Sequence, residues 1–355
     1  MKKHQAIRLA QGRISFLTGK RENLVILLLF LFASLTILMS ACLGDRFIDP
    51  LSTTKAIFGY GTKLDEMIIM SFRMPRILIA FIAGVCLAAA GSILQGLIRN
   101  PLASPDIIGI TGGASCGVVL FYMLFADKSS TLSVSLSWLP VAAFIGASLV
   151  GFIVYMLSYQ NGLSTFRLII IGIGFSMFTQ AMTSLLMIKG PFYRASQANV
   201  FITGSVYGTN WSQFQLILPM VVILLIICLF MSKHVNIQAL GKDVAAGVGN
   251  SVQKSRFFLL LLSIVLTACA VSVAGTVGFV GLMAPHMARR LVGSSFGALL
   301  PVSALLGGEL IMIADIIGRT LFSPIEIPAG VFTAAVGAPY FLYLLYRSRR
   351  TSISS

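Results

Sequence analysis

Charge is what this 355-residue chain has least of: only 10% of its residues are Asp, Glu, Lys or Arg. Soluble proteins carry about 25%. With 57% apolar residues and a mean hydropathy of +0.93, the chain has too little polar surface for a soluble fold of its size. The disordered class needs the opposite composition. Histidine is scarce as well, with three in the chain, His4, His234 and His286. There is no HExxH pair, and no serine, histidine and acid recur at a spacing that suggests a triad. A phosphate loop is missing too: Gly241-Lys242 is followed by Asp243, which cannot supply the magnesium-binding hydroxyl. The five cysteines, Cys42, Cys86, Cys116, Cys228 and Cys269, are odd in number, form no CxxC and sit in apolar stretches. That excludes a disulfide framework or a zinc site and reads as small buried side chains. No catalytic residue, cofactor or metal ligand is expected.

What is present is apolar runs. A membrane span needs about 20 apolar residues. Such runs fall at 24–43, 77–98, 106–126, 138–158, 168–188, 214–231, 257–274, 278–292, 298–317 and 328–346. The fold expected is an all-α polytopic membrane protein of about ten transmembrane helices. It divides into a cytoplasmic basic N-terminal segment (1–23), a ten-span domain (24–347) and a cytoplasmic tail (348–355). The first run follows a basic head, and Met39-Ser40-Ala41-Cys42 hints at a lipoprotein cleavage site. The run is too long for a signal h-region, so it is read as an uncleaved first span. The stretch 196–210 is polar and glycine-bearing and reads as a partial or re-entrant helix.

The charge balance of +15 is spread between the apolar runs rather than gathered into a patch, so nucleic-acid binding is not expected. With the N-terminus inside and the spans alternating, seventeen of the 26 Lys and Arg fall in cytoplasmic segments and nine outside. Lys and Arg mark cytoplasmic loops, so both termini are placed inside, in the cytoplasmic membrane. Arg73, Arg76 and Arg319 run against the rule. They read as snorkelling anchors or as a cluster that grips acidic groups of an external partner.

Ionisable residues inside spans are functional candidates by default. Glu309 lies within the ninth run and is a candidate proton site for a secondary carrier. Asp315 lies near that run's outer end, and Asp315 with Arg319 reads as an i,i+4 pair. Glycines at 84, 91 and 96, at 172 and 174, and at 307 and 308 read as faces for close helix packing in lipid. GSILQGLIRNP (91–101) and GTVGFVGLMAP (275–285) echo one another in the arrangement of an inverted repeat. Two prolines in Asn100-Pro101-Leu102-Ala103-Ser104-Pro105 force a short, rigid cytoplasmic turn suited to a gate. The longest inside connection, 232–256, holds a small apolar stretch at 239–249 that reads as a docking surface for a cytoplasmic protein.

In order along the chain, Arg73-Met74-Pro75-Arg76, QGLIRNPLASPDIIG (95–109), Leu163-Ser164-Thr165, Leu240-Gly241, VAGTVGFVGLMAPHMARR (273–290), Glu326-Ile327-Pro328-Ala329-Gly330 and Gly337-Ala338-Pro339 resemble the FecCD family. These are permeases of ABC importers for iron–siderophore complexes, haem and cobalamin. The resemblance covers about residues 65–347. It implies two permease subunits, identical or paralogous, with the pathway between them, two cytoplasmic ATPase subunits and an external substrate-binding protein. It implies docking of that binding protein at Arg73, Arg76 and Arg319. It places ATPase coupling at Ala239, Leu240, Gly241, Asp243, Ala246 and Gly249, and a cytoplasmic gate at Asn100, Leu102, Ser164 and Thr165. Phe166 is bulkier than the small residue some members carry beside that gate. Ferric siderophore is the expected cargo, with cobalamin or haem as the alternative within the family, and a proton-coupled carrier as the alternative outside it.

Overall fold

A computed structural model describes residues 5–9, 14–126, 133–160, 162–190, 192–241, 244, 247 and 251–353, with side chains from Gly19 to Tyr346 except those of 192–195 and 239. The long helices are α1 (Lys20–Cys42), α4 (Met74–Ile98), α5 (Ile110–Phe125), α6 (Leu139–Ser158), α7 (Thr165–Lys189), α9 (Trp211–Phe230), α11 (Val252–Ala274), α12 (Val280–Val292), α13 (Phe296–Thr320) and α14 (Ala329–Ile353). Each falls on one of the ten apolar runs. Between them lie α2 (Pro50–Ile57), α3 (Lys63–Glu66), a π-helical turn at Met67–Arg73 that runs into α4, α8 (Phe192–Thr203) and α10 (Ser232–Ala239). Asp49 caps α2. Its carboxylate accepts from the Ser52 N–H, which holds it below the usual carboxylate range.

Two boundaries differ from the sequence reading. The basic head carries a β-hairpin, β1 (Gln5–Leu9) antiparallel to β2 (Ile14–Thr18), and α1 begins at Lys20. At the other end α14 continues to Ile353, so the segment 348–355 is not separated from the last span by a break.

Among the described residues, eight helices are long and apolar enough to cross a membrane. The two runs that fall short, α5 with 16 residues and α12 with 13, rise only ~24 and ~20 Å at 1.5 Å per residue, against a hydrocarbon thickness of about 30 Å. In both cases irregular chain covers part of the depth. Turns at 99–109 precede α5, and 275–279 precedes α12. Such backbone is tolerated at membrane depth only where protein or a cavity satisfies it. Here the carboxylate of Asp106 lies near the Phe279 N–H and the Thr111 hydroxyl. One side chain thereby sets the approach to α5 beside the start of α12.

The core is built around α4, most of whose residues are buried. α13, α11, α12 and α9 pack on it. Its glycines decide how closely. A Cβ on Gly84 would overlap the carbonyl of Gly307, and one on Gly91 would overlap the carbonyl of Gly281. Between these points Ser92 Oγ donates to Ala88 O (2.8 Å), and Ser263 Oγ of α11 donates to Ala90 O (3.2 Å). In lipid there is no hydrophobic drive between helices, so close van der Waals packing of small residues holds them together. A second cluster joins α5, α6 and α11. Apolar side chains cover the outside: Leu24, Leu28 and Leu31 on α1, and Ile145, Leu149 and Phe152 on α6 are exposed, as lipid contact requires.

The predicted outside and inside segments sort to opposite ends. At one end Arg73 donates to Arg46 O, Trp211 to Met70 O, and Ser323 to Asp45. At the other Arg99 donates to Gln238 O, and Leu163 N–H to Gln253. Alternating crossings require this sorting.

Gly84→Leu is expected to destabilise the folded protein by more than the ~1–3 kcal/mol of ordinary overpacking, because backbone and not a side chain must yield. Gly174→Ala, where an added Cβ meets nothing within 4 Å, is expected to be neutral or slightly stabilising. Thermal melting of both variants in detergent checks the pair.

Candidate functional site

Three places bring polar groups together: an outer cavity, a lateral polar groove and the inner rim. The outer cavity has a volume of about 590 Å³ and is lined by Asp45, Arg46, Ser71, Phe72, Arg73, Arg76, Tyr207, Asn210, Arg319 and Glu326, among others. The sequence reading placed Arg73, Arg76 and Arg319 at one site, and the fold does bring them together. Their guanidinium groups, however, are turned into the protein. Arg73 donates to Ala41 O and to Cys42 O (3.1 Å) and Arg46 O, and Arg319 donates to Ser40 Oγ (2.7 Å), Ser40 O and Leu43 O (2.7 Å). The last carbonyls of a helix lack intrahelical partners. Here those of α1 are satisfied by two arginines from other helices.

Arg76 is engaged differently. Its Nε and Nη2 grip Asp315 at 3.0 and 2.8 Å, and its Nη1 reaches Glu326 at 2.9 Å. Its guanidinium carbon stands 5.8 Å from the centre of the Tyr207 ring. The expected Asp315–Arg319 pair is present at 3.6 Å. Asp315 therefore serves two arginines, and Glu326 completes a network that sequence spacing could not reveal. Arg46 is the outlier, with its side chain 59% exposed on the cavity rim.

The lateral groove, of about 360 Å³, lies among α5, α7, α8 and the 275–279 connection. Thr111, Ser115, Ser176, Gln180, Thr183, Ser184, Asn199 and Thr276 supply its polar lining, and all of them are uncharged. Ser176, Gln180 and Thr183 follow at helical spacing and so share one face of α7. The rest of that helix shows large apolar side chains, including Ile170, Met177 and Ile188. Sequence reading by charge overlooked this stripe, because hydroxyls and amides barely lower the hydropathy of a 25-residue run. Asp106 was overlooked for a different reason: it stands directly after Pro105, at the first position of the run 106–126, and reads as part of the inner turn.

At the inner end, Asn100 Oδ1 accepts from the Leu102 N–H at 2.9 Å, which makes the turn rigid. Ser164 precedes the first residue of α7, Thr165, and Phe166 beside them is 72% exposed. Of the expected coupling residues, Ala239 ends α10, Leu240 is 69% exposed and Gly241 has φ +125°. Asp243, Ala246 and Gly249 lie outside the described residues. Glu309 is buried. Its Oε2 accepts from Thr36 of α1 at 3.0 Å, while Oε1 has no partner.

Ten helices with a polar groove open sideways and a polar cavity at one end define a multi-pass membrane permease. The chain belongs to the FecCD transport family, whose pattern matches residues 28–347. It is 68% identical to the "Probable siderophore transport system permease protein YfhA" of Bacillus subtilis (strain 168), over 94% of this chain and 97% of that one. It is 40% identical to the iron(3+)-hydroxamate import system permease protein FhuG of the same organism, over 92% and 97%. Among solved structures it resembles an inward-facing metal-chelate type ABC transporter, with a TM-score of 0.79 and 30% identity, over 92% of this chain and 99% of that one.

Replacing Asp315 by Asn leaves Arg76 and Arg319 buried without their shared carboxylate. Removing one partner of a buried ion pair costs about 3–5 kcal/mol. The expected outcome is a sharp fall in folded protein recovered from the membrane, read by fluorescence-detected size exclusion. The Glu326→Gln change, at a side chain 34% exposed, is expected to cost less than about 1 kcal/mol.

Proposed function

We propose that this chain is the membrane-spanning subunit of an importer for ferric siderophore complexes, driven by ATPase subunits on its inner face and fed by a binding protein at its outer face. The observation that carries the reading is the uncharged polar stripe of α7. Thr183 is buried and donates to Thr179 O at 2.7 Å, but the exposed Gln180 and Ser184 of the same groove, facing lipid, would be left without hydrogen-bond partners at a cost of several kcal/mol per group. Facing a second permease subunit, identical or paralogous, the stripe instead forms half of an aqueous pathway. Weak, uncharged hydrogen-bonding groups suit a bulky chelate that must pass without being retained. The iron is coordinated by the siderophore, so the pathway need supply no ligand to it. The cargo class is that of the siderophore and iron(3+)-hydroxamate permeases to which the chain is similar.

The binding protein is proposed to dock over the outer cavity. Arg73, Arg76 and Arg319 form its walls and shape it by holding α1, α4 and α13 together. Arg46 on the rim, 59% exposed and held only by a long contact to Asp65 at 3.7 Å, is the cation best placed to meet an acidic group. Complementary charge at such a rim steers approach. At the inner face the exposed Leu240 and the segment after it are proposed to receive the ATPase, whose closure moves Asn100, Leu102, Ser164 and Thr165 at the gate. These movements expose the pathway alternately to the two sides.

Uptake of radioiron-loaded hydroxamate, catecholate and citrate-type siderophores by cells lacking this chain, against cells restored with it, tests the cargo. Loss of at least one of the three on deletion is expected; normal uptake of all three would sink the reading. Arg46→Glu is expected to lower uptake at limiting binding protein by about three- to tenfold, with unchanged protein in the membrane and a defect that shrinks at high salt. This is a cleaner test than reversing Arg73, whose loss also uncaps α1, or Arg76, whose loss breaks its pairing with Asp315 and Glu326. Glu309→Gln is expected to leave ATP-driven uptake within about twofold of wild type; complete loss would favour a proton-coupled carrier.

A further inference from the structure

The short helix α10 is pinned to three transmembrane helices by polar side chains. Asn236 Oδ1 accepts from the Phe296 N–H at 2.9 Å and so caps the start of α13. Gln238 works in two directions. Its backbone carbonyl accepts from Arg99 Nε at 3.0 Å, and its side-chain Oε1 accepts from Arg256 Nε at 3.4 Å. Arg99 follows α4 directly and has a left-handed backbone, φ 56° and ψ 35°. It is the residue immediately before Asn100 of the inner turn. Arg256, in the first turns of α11, is 8% exposed and sends Nη1 to the carbonyl of Leu163 at 3.0 Å. Leu163 stands immediately before Ser164 and Thr165, and its N–H is held by Gln253 Oε1 at 2.9 Å. Gln238 Nε2 is buried and without a partner.

We infer that Gln238 is the positioning residue through which movement at the ATPase-facing segment reaches both sides of the cytoplasmic gate. One arm runs from Gln238 through Arg99 to Asn100. The other runs from Gln238 through Arg256 to Leu163 and the start of α7. The two arms leave the same residue, which lies two positions before the exposed Leu240. A displacement of α10 is therefore delivered to the 99–102 turn and to the 163–165 turn together.

The chemistry of the hub suits motion rather than permanent locking. Two guanidinium groups converge on an amide, and among the described residues neither pairs with a carboxylate. Neutral acceptors hold a guanidinium less tightly than a carboxylate does. The 3.4 Å contact between Arg256 and Gln238 is at the long end of hydrogen bonding. At the opposite end of the molecule the arginines are held by Asp315 and Glu326. The outer end is thus clamped by charge and the inner end linked by weaker, exchangeable bonds.

This inference rests on the reading of the segment at Leu240 as the ATPase contact, and its test separates the two. The complete importer, with its ATPase and binding protein, is reconstituted in liposomes. Iron–siderophore uptake and ATP hydrolysis are measured in the same vesicles, and ATPase retention by pull-down. Gln238→Leu removes the side-chain acceptor. It is expected to lower siderophore transported per ATP hydrolysed about tenfold or more, with the ATPase still bound. Gln238→Glu keeps an acceptor oxygen but charges it, so it is expected to slow transport and hydrolysis together while siderophore transported per ATP stays within about threefold of wild type. Leu240→Asp is expected to release the ATPase. An unchanged transport-to-hydrolysis ratio in Gln238→Leu, with Leu240→Asp releasing the ATPase, overturns the hub alone. Equal loss in Gln238→Leu and Gln238→Glu, or release of the ATPase by Gln238→Leu, also overturns it by assigning the residue to folding or docking. If Leu240→Asp leaves the complex intact, the docking reading fails and the hub falls with it.

Discussion

The approach of α4 to its neighbours at backbone distance is the constraint on which this structure depends. Gly84 lies against the carbonyl of Gly307, and Gly91 against that of Gly281. No side chain fits at either point. Those two contacts set the depth at which α12 and α13 sit beside α4, and so where the ends of those helices emerge. The Asp315–Arg76 pair at the outer end and the Arg289–Gln95 bond at the inner end both join helices whose spacing the glycines have fixed. A membrane interior offers no water to mend a misplaced polar group, so that spacing must be right before the polar networks can form.

The two ends of the bundle use arginine in opposite ways. At the outer end, Arg73 and Arg319 complete the unsatisfied carbonyls of α1, and Asp315 and Glu326 neutralise the cluster around Arg76. Three helices meet there in a charge-assisted network, the strong kind of hydrogen bonding. At the inner end, Arg99 and Arg256 lean on the backbone and side chain of Gln238 and on the carbonyl of Leu163. A transporter that opens alternately needs one part that keeps its geometry and another that can exchange partners. The distribution of carboxylates between the ends supplies both.

All ten apolar runs became helices, and the excess of Lys and Arg in alternate segments agreed with the sorting of loops to two ends. Length and hydropathy carry that information locally, residue by residue. The same signals could not show that α5 and α12 are short, because the irregular chain before each is apolar too and reads as more helix. The i,i+4 pair of Asp315 and Arg319 was legible for the same local reason. The bidentate grip of Arg76 on Asp315 spans 239 positions and leaves no trace in spacing. That Arg73 donates to the carbonyls at the end of α1 left no trace either, because only a folded neighbour brings them within reach. The polar stripe of α7 escaped because a search for charge passes over serine, threonine and glutamine.

The sequence by itself determined the membrane class, the places and order of the apolar helices, and the family. Each of these follows from composition and from short ordered motifs, which need no knowledge of what packs against what. Tertiary structure decided which polar groups meet. It set Arg73, Arg76 and Arg319 against the carbonyls and carboxylates of neighbouring segments, placed Asp106 near Phe279, and gathered Arg99, Gln238 and Arg256 at one point. The reason is physical: in a bundle of helices, contacts across the bundle depend on rotation and depth, and glycine contacts far from the polar residues set both.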